Sequence, residues 1–246
     1  MIKVENVTKI YGHTVAVDDL SLEVKAGEVF GLLGPNGAGK TTTMKMLAGL
    51  LIPTSGKMSV DGHDVQTNPL EAKRVIGFVP DKPFIYEKLS GHEFLEFVRE
   101  IFQVDKDPAV IARQERLLKM FLLDGWLDEL VESYSHGMRQ KLIITSALIH
   151  NPKALIIDEP MVGLDAKGMR QVKELFREMA DDGATVLVST HTMAIAQEVC
   201  DRIAILNKGK ILTMGTMEEL KASSHSSEQD LESIFLRLTD ETMDAP

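Results

Sequence analysis

Residues 34–42 read GPNGAGKTT, that is Gly34, Pro35, Asn36, Gly37, Ala38, Gly39, Lys40, Thr41 and Thr42. The spacing fits G-x-x-x-x-G-K-[ST]. Its glycines let the backbone approach an anion so closely that successive N–H groups can surround a phosphate. An apolar run, VFGLL, precedes the loop, and residues 41–50 have the composition of a helix. A helix N-terminus adds favourable dipole charge toward a phosphate. In this pattern Lys40 reaches the β- and γ-phosphates of a nucleotide, and the Thr41 hydroxyl ligates Mg2+.

A second stretch supplies acids. IIDE, at residues 156–159, sets Asp158 and Glu159 at the end of an apolar run. Asp158 is suited to hold Mg2+ through water. Glu159, one residue further on, falls where a water attacking a γ-phosphoryl group would sit. Adjacent acids after a strand are a weak signal alone and a strong one beside a phosphate loop. His191 follows the apolar run 185–188 and the polar pair Ser189-Thr190. At the ligand side of an α/β sheet it can donate to the γ-phosphate. A third stretch, YSHGMRQK at 134–141, puts Ser135 beside His136. No G-x-S-x-G elbow surrounds Ser135, which argues against a nucleophile and base.

These groups need a scaffold, and the pattern around them describes one. Short apolar runs at 29–33, 76–79, 154–157, 185–188 and 203–206 alternate with helical stretches at 41–50, 138–150, 166–180 and 193–200. Alternation of this kind predicts a parallel α/β core. Runs at 2–7, 20–24 and 57–60 predict further strands, the first two separated by a turn at Tyr11-Gly12. From about 87 to 130 apolar residues recur three and four apart, notably at 93–102 and 109–123, which predicts a helical lobe. The serine-rich segment 222–229 reads as a linker or exposed loop. Residues 231–238, LESIFLRL, read as a short helix that covers a core edge or, alternatively, a partner's surface.

The chain has 246 residues, 44% of them hydrophobic, enough for one large domain or one domain with a smaller lobe. Its net charge of −10 disfavours a nucleic-acid binder, which carries a basic footprint. The single cysteine, Cys200, allows no internal disulfide and suits a reducing compartment. The N-terminal residues alternate apolar and polar, as a first strand does, rather than forming a signal peptide's apolar core. No apolar run approaches the ~20 residues that span a bilayer. The expectation is a soluble or peripheral protein that something else must hold at any membrane.

Taken in order, these motifs resemble the nucleotide-binding subunits of ABC transporters, over roughly residues 2–220. Residues 34–42 are similar to the family's Walker A loop, 155–159 to Walker B with its adjacent catalytic glutamate, and Gly163-Leu164-Asp165 to the D-loop. His191 matches the switch histidine, and Tyr11 stands where the family stacks an aromatic ring on adenine. YSHGM resembles the signature motif in the form found in many ABC-2-type exporters; Ser135 and Gly137 are retained and His136 replaces a glycine. The C-terminal LESIFLRLT resembles the tail of the same exporters.

The resemblance implies a P-loop ATPase core at 1–222, carrying an antiparallel β subdomain and an inserted helical subdomain at about 87–150. Residues 223–246 would be linker and short helix. It implies that ATP and Mg2+ bind, that Glu159, His191 and Lys40 are catalytic, and that Thr41, Asp158 and Asp81 serve the metal. Asp81 stands where the family carries glutamine, with a shorter and charged side chain. Ser135, His136 and Gly137 would meet ATP held by an opposing subunit, a second copy or a homologous ATPase arranged head to tail, and Asp165 of the D-loop would also bind nucleotide. A separate multi-span permease would dock near 82–89, where Phe84, Ile85 and Tyr86 are candidate apolar contacts. The implied place is peripheral, at the cytoplasmic face of the cell membrane, and the implied direction is export.

Other readings remain open. A soluble ABC-type ATPase acting on DNA or ribosomes would usually carry long coiled-coil or zinc insertions or two cassettes. A GTPase would carry Asn-Lys-x-Asp, and Asn207-Lys208-Gly209-Lys210 lacks the aspartate. An ATP-dependent regulatory switch that transports nothing is also consistent with the motifs.

Overall fold

In the computed structural model, which describes residues 1–105, 107–223 and 231–240, the chain begins with a long antiparallel pair, β1 (Ile2–Tyr11) and β2 (Thr14–Val24). Both strands run further than apolar alternation predicts. The alternation is broken by register shifts between Val4 and Ile10, a stretch in which Asn6 and the facing Asp19 take positive φ of 48° and 49°. Such bulges let a strand continue while its face pattern slips. Tyr11 is therefore the last residue of β1, and the turn lies just beyond it.

β3 (Val29–Leu33) leads through the phosphate loop into α1 (Lys40–Leu47). α1 stops earlier than expected because Gly49 turns to φ 65°. β4 (Ser55–Val60), β5 (His63–Asp64), α2 (Pro69–Arg74) and β6 (Ile76–Val79) follow. The helical portion comprises α3 (Gly91–Ile101), α4 (Pro108–Met120) and α5 (His136–Ala147). Ser90 and Glu93 close a reciprocal capping box on α3, and Asp107 caps α4. Each such cap contributes about 1 kcal/mol. The remainder is β7 (Ala154–Asp158), α6 (Ala166–Asp181), β8 (Thr185–Thr190), α7 (Met193–Val199), β9 (Arg202–Asn207), β10 (Lys210–Gly215), α8 (Met217–Ser223) and α9 (Leu231–Asp240). The short α2, β10 and α8 were not legible in the sequence. Residues 222–223 of the expected linker are the end of α8, and 224–229 lie outside the described residues.

Two sheets result. One is antiparallel, β2-β1-β4-β5; the other has six strands in the order β10-β9-β3-β8-β7-β6, parallel except where β10 pairs with β9. The fold is thus an α/β core with a phosphate-type loop after its central strand, an antiparallel β subdomain and attached helices. Strand alternation splits the central core into two faces. Phe30, Leu32, Ile156 and Leu187 pack with Met44 and Leu47 of α1 and with the antiparallel sheet. Leu155, Ile157, Val186 and Val188 face the other way, toward Leu142, Ile144, Val172 and Phe176. A third cluster joins Leu33, Ile203 and Ile205 to Leu220, Leu231 and Phe235. This puts α9 on a core edge, as one reading of LESIFLRL anticipated.

His150, just past α5, ties the helical portion to β6. Its ring stacks on Phe102 at 3.9 Å, and Nε2 lies 2.9 Å from the Ile76 carbonyl, to which it donates. Burial pushes its pKa down to about 4, so it is neutral here.

Candidate functional site

The phosphate loop needs its glycines for distinct reasons. A Cβ on Gly34 would stand 2.3 Å from the Leu206 carbonyl oxygen. Gly39 has φ 107° and faces the Ala16 carbonyl, where a Cβ would come to 2.5 Å. The loop wraps the amino end of α1, whose first residue is Lys40. Its Nζ donates to the carbonyls of Gly34, at 2.7 Å, and Pro35, at 3.2 Å. Burial lowers the Lys40 pKa, opposed by the negative charges of Glu159, Asp158 and Asp81.

β7 and β8 run parallel, with Asp158 opposite Ser189. Paired residues share a face of the sheet, so Asp158 points with Ile156 toward α1. There Thr41 Oγ1 donates to Asp158 Oδ2 at 2.8 Å, and Ser189 Oγ donates to Asp158 Oδ1. Glu159 leaves the strand with φ 50°, its N–H bonded to the Ser189 carbonyl at 3.0 Å. Its carboxylate is held from the next segment: His191 Nδ1 lies 2.7 Å from Oε1, the His191 N–H donates to the same oxygen at 3.1 Å, and Thr190 Oγ1 donates to Oε2 at 3.3 Å.

These groups enclose a cavity of about 270 Å3. It is lined by residues 36–42 together with Ala16, Asp81, Asp158, Glu159, Val162 and His191. All but Ala16 and Val162 were expected from sequence. Gly34 and Pro35 stand behind the lining and hold Lys40 instead.

Tyr11 is half-exposed at the end of β1, with Lys9 Nζ 5.1 Å from its ring centre, and it does not line the cavity. Ser135, His136, Gly137 and Asp165 do not line it either. They form a second group among themselves. Ser135 caps α5 by accepting from the Met138 N–H at 3.2 Å, and Asp165 caps α6 by accepting from the Gly168 N–H at 2.9 Å. The His136 ring packs so closely on Gly163 that a Cβ there would fall 1.9 Å from the ring. Ser135 Oγ accepts at the amino end of α5 and the His136 ring lies on Gly163, so the two side chains serve a helix start and a neighbouring loop rather than one another.

Beyond Asp81 lies a larger, mostly apolar groove of about 880 Å3, lined by residues 81–89 with Phe97, His136, Arg139, Gln140 and Ile143. Phe84 is 81% exposed and Tyr86 47%, their rings meeting edge to face at 5.2 Å, whereas Ile85 is partly buried against the core. Arg139 spans one side, paired with Glu87 and donating to the carbonyls of Glu132 and Tyr134. Asp81 lines both this groove and the cavity at the phosphate loop.

Residues 17–162, more than half of the chain, match the family model described as ABC transporter. The chain belongs to the ABC transporter family. This ABC protein is 36% identical over 220 residues to the linearmycin resistance ATP-binding protein LnrL of Bacillus subtilis, covering 89% of this chain and 70% of that protein. It is 39% identical over 226 residues to the daunorubicin/doxorubicin resistance ATP-binding protein DrrA of Streptomyces peucetius, covering 92% and 68%. Among solved structures it superposes on an ATP-binding subunit of an ABC transporter with a TM-score of 0.89 at 30% identity, covering 97% of this chain and 99% of that one. The dimeric, ADP- and phosphate-bound post-hydrolysis cassette MJ0796 gives 0.79 at 28%, covering 88% and 98%. The chain is an ATP-binding, ATP-hydrolysing subunit of an ABC transporter. Among the described residues no helix is long and apolar enough to cross a membrane.

Proposed function

We propose that this ABC ATPase powers export through a separate multi-span permease, working as a head-to-tail pair with a second copy or a homologous subunit at the cytoplasmic face of the membrane. The observation that carries the pairing is the separation of its two polar groups. Lys40, Thr41, Asp158, Glu159 and His191 share one cavity, while Ser135, Gly137 and Asp165 lie outside it. Each group is half of a site, and a head-to-tail partner supplies the other half. Export is supported by the relatives, two of which are named for resistance to linearmycin and to daunorubicin/doxorubicin.

Within each half, backbone N–H groups of residues 36–42 and Lys40 hold the phosphates. Thr41, Asp158 and Asp81 form the metal side; the oxygen-only donor set already gathered by the Thr41–Asp158 hydrogen bond suits a hard cation such as Mg2+. When bound, that ion offsets charge on the phosphate oxygens. Glu159 orients and deprotonates water, and His191 donates to the γ-phosphate. Tyr11, exposed at the end of β1 and outside the cavity itself, stacks on adenine. The unit at 1–222, with the helical subdomain at about 87–150 inserted, performs the ATPase, and the groove beside Phe84 and Tyr86 seats the permease.

Glu159→Gln keeps ATP affinity, removes hydrolysis and traps an ATP-bound dimer, read by light scattering with and without ATP. A variant with wild-type turnover would sink the role of Glu159; a monomer under saturating ATP would sink the pairing. Affinity capture from gently solubilised native membranes tests the permease: a stoichiometric multi-span protein is expected, and ribosomal or DNA-repair proteins in its place would favour the soluble alternative.

A further inference from the structure

β8 is apolar over Val186, Leu187 and Val188 and then ends in two hydroxyl residues that are as buried as the valines. Ser189 is 0% and Thr190 2% exposed. A hydroxyl buried without a partner costs stability, so the sequence needs a reason for two of them. The ladder supplies one. Successive residues of a strand point to opposite faces. Ser189 shares the face of its register partner Asp158, the face that α1 and Thr41 occupy, and its hydroxyl reaches Asp158 Oδ1. Thr190 points the other way, toward Glu159, and donates to Oε2 at 3.3 Å. The Thr190 oxygen also accepts from the Thr192 N–H at 3.0 Å, which turns its own proton toward the carboxylate.

We infer that Ser189 and Thr190 are positioning residues for the ATPase reaction, each assigned to one of the two adjacent carboxylates. Two neighbouring acids on one chain diverge to opposite faces, so a single partner cannot orient both; a pair of neighbouring hydroxyls on the next strand can. Ser189 occupies Oδ1 of Asp158 and leaves Oδ2 turned to Thr41 and the metal side. Thr190, with the His191 N–H, fixes both oxygens of Glu159 and so sets the direction in which it accepts a proton from water. The inference rests on the roles given above to Asp158 and Glu159.

The test separates the two residues by readout. Affinity for a non-hydrolysable ATP analogue is measured across a Mg2+ titration and in EDTA, alongside steady-state kinetics. Ser189→Ala raises the Mg2+ concentration for half-maximal binding by about tenfold and leaves affinity in EDTA unchanged; Ser189→Thr restores it. Thr190→Val, which keeps the side chain's shape, lowers kcat by about tenfold at constant KM and constant analogue affinity, and Thr190→Ser restores turnover. Where alanine at 189 lowers the Tm, Ser189→Cys keeps the volume, weakens the donor and carries the same expectation. Asp158→Asn and Glu159→Gln are run in parallel. If those two shift Mg2+ dependence and turnover while the position 189 and 190 variants match the wild type, the inference is overturned. If Asp158→Asn and Glu159→Gln are themselves silent, the underlying site assignment fails and takes the inference with it.

Discussion

The cavity at the phosphate loop holds about 270 Å3 and is walled by backbone N–H groups, hydroxyls and carboxylates, while the groove beside residues 81–89 holds about 880 Å3 and is walled chiefly by rings and aliphatic chains. In the first, the charged side chains at its centre are held from inside the protein: Lys40 on loop carbonyls, Asp158 between two hydroxyls, Glu159 beneath residues 190 and 191. In the second, Phe84 is left almost bare. The small chamber is preorganised for a charged ligand, which suits chemistry. The large one offers shape and apolar area to a partner and asks for little preorganisation. Two spaces of opposite character therefore adjoin at Asp81.

Substitutions can break that contrast. The largest effect is expected in the small chamber: Lys40→Ala lowers ATPase turnover by at least about 100-fold and weakens nucleotide affinity, checked by steady-state kinetics and a direct binding assay. A substitution between the chambers comes next. Gly163→Ala places a Cβ onto the His136 ring at a backbone φ of 79°, and thermal unfolding should show a loss of about 2 kcal/mol or more. His136→Gly in the same chain relieves the clash and recovers part of that loss.

A pH experiment probes the wall that the helical portion shares with β6. The unfolded His150 binds its proton near pH 6.5, whereas the folded one waits until about 4, so the unfolded state holds more protons between those values. The contribution of His150 is therefore present above about pH 6.5, and about 3 kcal/mol of it should be lost as the pH drops toward 4. His150→Gln should flatten this part of the profile in denaturant titrations at stepped pH. The smallest effect belongs to the groove. Phe84→Ala should change stability by no more than about 0.5 kcal/mol and leave turnover of the isolated ATPase unchanged. Loss of binding to permease without loss of ATPase would sharpen the contrast; a collapse of turnover would erase it.

How much of this was legible in the sequence follows the same division. The phosphate loop, the two acids and His191 could be read directly because their chemistry demands fixed residue types at fixed spacing. The parallel core was legible because each buried strand is apolar on both faces. β1 and β2 were read short because bulges at Asn6 and Asp19 shift the period of two. β10 and α8 lack the apolar contrast that marks an element from sequence alone. Ser189 and Thr190 were noticed only as a polar pair, since their value lies in strand register, and register is a property of two strands that a single run of letters does not display. The groove is legible least of all: Phe84 and Tyr86 could equally have been core residues, and only their exposure separates them from Ile85.

Among the described residues, Asp81 is the one side chain common to both linings. A change to that one side chain would reshape the wall of both spaces together, so neither can be altered at position 81 without touching the other.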